Sequence, residues 1–316
     1  MKVLIITDLE GCAGVFHREL QVTNALPLEY ARTLRMCTRE VLAAIDGAWA
    51  GGATEILIDA LHDIDMEMLP AGVEIVRGKS CWDTTFMERG ADALVLVGLH
   101  GGAHIPECAL GHTFLPSWQI EHPSTSKQDW AKQVAPHLDG MPVGEFSTVE
   151  GVWLNGRLVG ETSILMATAA AFSIPTACVC GCVHACEEAQ ERVEQIHAVP
   201  VKWGLHFRGA RMLSPAGAQE AIRQGVERAI GGLEDIPTWA EANGRQELRV
   251  RYVHRERAAR AASFPGSRVL DEHTVCASVA DGSALPGARF LFGRPRSPEE
   301  GPTPFEAYDP AAWLIE

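Results

Sequence analysis

A chain of 316 residues, 47% of them hydrophobic, has room for one large domain or two and ample apolar side chains for a substantial core. Its formal charge of −14 argues against nucleic acid or an anionic membrane surface as main partner, since both require basic patches, and suits it instead to cations or cationic groups. The apolar run at residues 3–6 is too short for a signal-peptide core and no later stretch is long enough to span a bilayer, so the expected setting is the cytoplasm.

The chain opens with Lys2-Val-Leu-Ile-Ile-Thr7, an apolar run that reads as a buried strand, and breaks at Asp8-Leu-Glu10-Gly-Cys-Ala-Gly14 into a loop. Side chains two apart on a strand point the same way, so Asp8 and Glu10 are expected to project together from its carboxyl end. Two carboxylates side by side share a proton or hold a cation, although an acid pair alone is more often a solvated strand end or a helix cap. Pro27–Ala50 has apolar residues at helical spacing and stops at Gly51-Gly52; residues 55–59 then form a second strand, so the unit is βαβ and the sheet parallel. His62 follows. A short strand over Val73–Val76, a helix-like stretch at 84–89 and a strand at 93–97 lead to Gly98-Leu-His100-Gly-Gly102. Three strands are thus each followed by candidate ligands, and in a parallel sheet those carboxyl ends share one edge. Two carboxylates and two imidazoles suit zinc or a similar divalent ion.

Residues 103–148 are broken by Pro106, Pro116, Pro123, Pro136 and Pro142. His112 lies there in Leu110-Gly-His-Thr113 and, taken alone, reads as a surface histidine, as do His104, His122 and His137. Two apolar arms at 149–159 flank Asn155-Gly156, a hairpin signal. Glu161 then falls in the first turn of an apolar helix that runs to about Phe172. The helix dipole alone favours a carboxylate there by about 0.3–1 kcal/mol. Nine cysteines, an odd count, point to reduced thiols; the cluster from Cys178 to Cys186 alternates without a paired CxxC and reads as a buried strand of small side chains rather than a metal centre. Ser214-Pro215 opens a helix to about Ile230, residues 235–243 read as a linker, and 248–253 alternate as a strand. Residues 275–279 and 288–292 fit strand or helix equally, and the basic cluster at 255–260 reads as a solvated face.

Asp8-Leu-Glu-Gly, His62, Gly98-Leu-His100, Gly111-His112-Thr and Asn155-Gly-Arg-Leu-Val-Gly-Glu161 stand in the order found in the zinc-dependent D-aminopeptidases, a family of bacterial metallopeptidases that this chain resembles from Met1 to about residue 293. Lys202, Arg208 and Leu213-Ser-Pro215 also look like that family. The resemblance implies two divalent ions per subunit, zinc, held by Asp8, Glu10, His62, His100 and Glu161, with Asp8 bridging and His112 catalytic. It further implies a self-compartmentalising homo-oligomeric ring, a double pentamer. One departure stands out: the connection from His112 to Glu161 carries an added stretch at about 116–146, which puts the family's substrate preference in question.

The expected architecture is α/β: a mostly parallel sheet with flanking helices in a metal-binding catalytic domain over 1–194, a smaller α+β domain over 195–293, and a flexible tail over 294–316 rich in Pro and Glu. The expected function is a metal-dependent aminopeptidase that hydrolyses short peptides with a D-amino acid at the N-terminus through a metal-activated water. Lys202 and Arg208 are candidate contacts for the substrate carboxylate, with surface salt bridges an equal alternative. The same ligand set also leaves open a two-metal amidase or phosphoesterase, or a metal-stabilised ring protein without turnover.

Overall fold

The computed structural model describes residues 1–17, 21–22, 27–76, 90–114, 149–206, 208–263 and 266–285. The helix-like stretch at 84–89, His122, His137, the added stretch at 116–146, the ambiguous run at 288–292 and the tail at 294–316 lie outside the described residues.

Val3, Leu4, Ile5 and Ile6 are shut off from solvent within strand β1 (Lys2–Thr7). Helix α1 (Pro27–Ala50) crosses to strand β2 (Glu55–Ala60), which pairs with β1 in parallel register from Lys2 with Glu55 to Thr7 with Ala60. Strand β3 (Val73–Val76) extends the sheet beyond β2, and β4 (Ala93–Leu99), buried along its whole length, pairs in parallel with the free side of β1. Near-continuous apolar runs in β1 and β4 follow from this central position, where both faces of the sheet are covered.

The Asn155-Gly156 signal is a hairpin between β5 (Val149–Leu154) and β6 (Arg157–Val159), with positive φ at both turn residues, 52° and 81°. One residue after β6 the chain enters α2 (Glu161–Ala171), so the hairpin delivers Glu161 to the start of that helix. Next come β7 (Thr176–Cys182), α3 (Val183–Arg192), β8 (His197–His206) and β9 (Gly209–Met212). Helix α4 (Pro215–Gly231) opens on Ser214, whose side chain accepts from Gly217 N, and packs closely on α1: a Cβ on Gly47 would lie 2.3 Å from Arg223 O. The remaining elements are β10 (Gln246–Tyr252), α5 (Arg255–Ala261), β11 (Ser267–Val269) and β12 (Thr274–Val279), which settles 275–279 as strand; Arg257 on α5 is buried, so the basic cluster is not wholly a solvated face.

Among the described residues the strands form two sheets: β3-β2-β1-β4-β7-β8-β9, parallel except for β9, and an antiparallel β11-β12-β10-β5-β6. The expected division at 194/195 cuts through the larger sheet, because β8 and β9 complete it, while β5 and β6 pair into the sheet of the later strands. The chain leaves β1 toward β2 on one side and returns to β4 on the other. That reversal opens a crevice outside the carboxyl ends of β1 and β4. Cys178, Cys180, Cys182 and Cys186 are buried free thiols on β7 and α3, as their alternation implied.

Candidate metal centre

The loop leaving β1 stays against the end of β4: Asp8 N donates to Val97 O at 2.8 Å and Gly11 N to Gly98 O at 2.7 Å. There is no space for side chains at this crossing. A Cβ on Gly11 would lie 1.8 Å from Leu99 O, and one on Gly98, where φ is +80°, would lie 2.2 Å from Asp8 O. From β8, Lys202 enters beneath the loop with no solvent exposure, and its Nζ donates to the carbonyls of Glu10 and of Val15. Backbone contacts and Lys202 thus hold the loop's course; Leu9 N donates to Asp8 Oδ1 at 2.8 Å, and Asp8 Oδ2 and the Glu10 carboxylate stay available for the crevice.

Four segments bring side chains to that crevice. His62, two residues past β2, places Nε2 3.5 Å from Asp8 Oδ1 and 3.2 Å from Glu10 Oε2. His100, directly after β4, places Nε2 3.4 Å from Asp8 Oδ2 and 3.6 Å from Glu161 Oε1. Its Nδ1 donates to Gly101 O at 2.9 Å, since a carbonyl only accepts, and this bond turns Nε2 inward toward the carboxylates. His112 repeats the arrangement: Nδ1 donates to Leu110 O at 2.9 Å, and Nε2 stands 3.8 Å from Glu161 Oε1 and 4.0 Å from Glu10 Oε1. The rings of His100 and His112 stack with centroids 4.2 Å apart. Leu110 and Phe114, on either side of His112, both have positive φ, 65° and 62°, and Phe114 N donates to Glu161 Oε1 at 2.8 Å.

Asp8, Glu10 and Glu161 are buried together, and among the described residues their ion-pair partners are all histidines. Burial, then repulsion from Glu10 and Glu161, pushes the Asp8 carboxyl well above the usual carboxylate range. Burial also raises Glu161 against the pull of His100. For Glu10 burial acts in the same direction, but His62, His112 and His100 together outweigh it and hold the carboxyl well below its usual range. Asp8 Oδ2, Glu10 Oε2 and His100 Nε2 are buried without a hydrogen-bond partner among the described residues. Orphaned acceptors that converge at this spacing fit a divalent cation, which would satisfy them and offset the carboxylate repulsion. Two overlapping donor groups are present, Asp8 with Glu10 and His100, and His100 with His112 and Glu161, each with its ligand atoms within 4.8 Å of one another.

All six candidates Asp8, Glu10, His62, His100, His112 and Glu161 thus meet in one crevice. For His112 this differs from the surface position that its local sequence suggested. Lys202 is on the far side of the loop with its ammonium on two carbonyls, a setting unlike that of an exposed substrate contact. Arg208 is half-buried in the β8–β9 turn, its amide donating to His206 Nδ1 at 3.2 Å. Glu188 on α3, which sequence reading passed over, bonds the start of α2; nothing in its surroundings in the sequence marks it.

A family model described as D-aminopeptidase matches residues 1–121 and 144–286, and the gap falls within the added stretch at 116–146. The D-aminopeptidase of Bacillus subtilis (strain 168) is 21% identical over 280 residues, covering 85% of this chain and 88% of that protein. A solved structure, the zinc-dependent D-aminopeptidase DppA from Bacillus subtilis, described as a self-compartmentalizing protease, superposes with a TM-score of 0.72 at 20% identity, over 92% of this chain and 96% of that one.

Proposed function

Because the chain belongs to the D-aminopeptidase family, we infer that it is a metal-dependent aminopeptidase that hydrolyses short peptides bearing a D-amino acid at the N-terminus. The observation that carries this reading is the convergence of three buried carboxylates and three histidines, with orphaned acceptors, at the carboxyl edge of the sheet. The phosphoesterase and non-catalytic alternatives find no such support from the family.

The metal is zinc in this reading, and two ions per subunit is the finer proposal. Asp8 supports it by turning Oδ1 toward His62 and Oδ2 toward His100, so that one carboxylate would be shared between a group with Glu10 and His62 and a group with His100 and Glu161. When bound, such ions supply a nucleophile from water at neutral pH and polarise the scissile carbonyl. The chain's own residues then do the following. The carbonyls of Gly101 and Leu110 fix the two imidazoles in the Nδ1–H tautomer. His112, the histidine farther from the carboxylates, keeps Nε2 for proton transfer to the leaving amine or for bonding the developing oxyanion. Phe114 N restrains Glu161. Arg208 remains the proposed partner of the substrate carboxylate, whereas Lys202 supports the loop of Asp8 and Glu10.

Assembly into a closed ring, a double pentamer, belongs to the same proposal and draws on the self-compartmentalizing relative. So does a cytoplasmic setting, supported by eight buried free thiols among the described residues; no described helix is long and apolar enough to cross a membrane. The decisive experiment measures bound zinc and hydrolysis together in wild type and His112→Ala, on D- and L-aminoacyl amides and dipeptides. About two ions per chain with cleavage of D-substrates, retained metal and lost turnover in the variant, is the expected result. Bound metal without cleavage of any amide would overturn the assignment.

A further inference from the structure

Helix α2 begins at Glu161 with Gly160 as its N-cap, so the cap residue has no side chain to bond the helix's unpartnered amides. Another helix supplies the missing acceptor. Glu188, buried on α3, accepts with Oε1 from Gly160 N and from Ser163 N, each at 2.9 Å. One turn later on the same face of α3, Arg192 donates from Nη2 to Leu158 O at 2.9 Å and from Nε to Ser163 Oγ at 3.3 Å. The other Glu188 oxygen faces the junction of two ligand-bearing segments: a Cβ on Gly160 would lie 2.8 Å from Glu188 Oε2 and 3.1 Å from Gly102 N, two residues past His100.

We propose that Glu188 is a positioning residue of the metal centre, whose carboxylate fixes the start of α2 and thereby the place of the Glu161 carboxylate opposite His100. The proposal rests on the reading that Glu161 and His100 hold a metal. Glu161 is the first helical residue, so the turn at 160–163 sets where its side chain starts, and the crevice requires its Oε1 within reach of both His100 Nε2, at 3.6 Å, and Phe114 N, at 2.8 Å. Without Glu188 two buried amides lose their acceptor and the turn is held mainly by Arg192, from one side. The bonds of Glu188 go to the amides of Gly160 and Ser163, so it acts on Glu161 through the backbone. A plain helix cap would alter stability and leave the affinity of the folded protein for metal unchanged, which makes the idea testable.

The test uses the full chain, stripped of metal and titrated with zinc against a chromophoric chelator, at a temperature where circular dichroism reports each variant folded. Glu188→Ala is expected to bind zinc on the order of 10- to 100-fold more weakly. Glu188→Gln, which keeps a carbonyl oxygen for both amides, is expected to stay near wild type, and hydrogen exchange at Gly160 and Ser163 to quicken only in the alanine variant. If the alanine variant fails to fold, Glu188→Asp, which withdraws the carboxylate by one methylene, takes its place with the same weakened binding expected. Wild-type affinity in a folded Glu188→Ala or Glu188→Asp, or binding by Glu188→Gln as weak as by the alanine variant, overturns the role of Glu188. A wild type without affinity for zinc overturns the metal reading and this proposal with it. Because no substrate enters the titration, failure to cleave D-peptides is a separate result.

Discussion

His100 and His112 stack ring on ring and each anchors Nδ1 on a carbonyl, yet their Nε2 atoms stand at different depths, His100 against Asp8 and Glu161 and His112 farther from both of its carboxylates. His112→Ala is therefore expected to retain bound metal and lose about 10²- to 10⁴-fold in kcat, read by metal analysis beside steady-state kinetics. Lys202→Met keeps the length of the side chain and removes its bonds to two buried carbonyls. It should lower stability by on the order of 2–4 kcal/mol in urea unfolding, from charged hydrogen bonds of about 1.5–3 kcal/mol each offset by relief of a buried charge. A rise in KM at unchanged stability would return Lys202 to the substrate. Glu40, on α1, is pushed up to about 8 by burial, against the Ala13 amide that donates to it at 2.9 Å. The folded protein then holds a proton there that the unfolded chain releases near the ordinary value of 4.5. The stability present below that value is lost as pH rises from 4.5 to about 8, and at about 1.4 kcal/mol for each pH unit the loss is on the order of 5 kcal/mol. Glu40→Gln should flatten this slope and be the more stable protein at pH 8; an unchanged slope would remove Glu40 from the account.

Between elements the tightest constraint is the crossing of the β1 loop with the end of β4. Gly11→Ala directs a methyl at the carbonyl of Leu99, a contact that only backbone movement relieves, so a cost of roughly 3 kcal/mol or more is expected together with weakened metal binding. Gly52→Ala, where a Cβ meets nothing within 4 Å but φ is +105°, serves as a strain-only comparison that should spare metal binding. These glycines also show what the sequence reveals. The uniform apolar runs of β1 and β4, the helical spacing of α1 and the Asn-Gly turn are local signals, and each element appears where its pattern implies. β8 was not legible, because Pro200 and the buried Lys202 interrupt its apolar pattern; the lysine is there for two carbonyls nearly two hundred residues away. Asp8, Glu10, His62 and His100 could be read because each follows a strand end, whereas His112 is carried by a loop whose shape depends on Leu110 in an uncommon backbone region and on the ring of His100. The loop's own residues hold no record of that contact, and the family likeness alone raised His112 above a surface histidine.

Across the whole molecule, three buried carboxylates repel one another in a protein whose net charge is already −14. Chelation is expected to lower the melting temperature by several degrees and added zinc to restore it, since a ligand at a thousand times its Kd contributes about 4 kcal/mol per site. A melting curve indifferent to chelator would contradict a metal centre at this crevice. Sheet topology adds an ordering in time. Asp8, Glu10, His62 and His100 all lie within the first hundred residues, but Glu161 comes after the hairpin and Lys202 stands 192 residues beyond Glu10. A chain emerging from the ribosome therefore displays its acid pair and two histidines long before it possesses the lysine that secures their loop or the strand β8 that carries it. The growing polypeptide cannot complete the proposed centre, so a peptidase made this way is expected to be silent toward its neighbours until most of it has been synthesised.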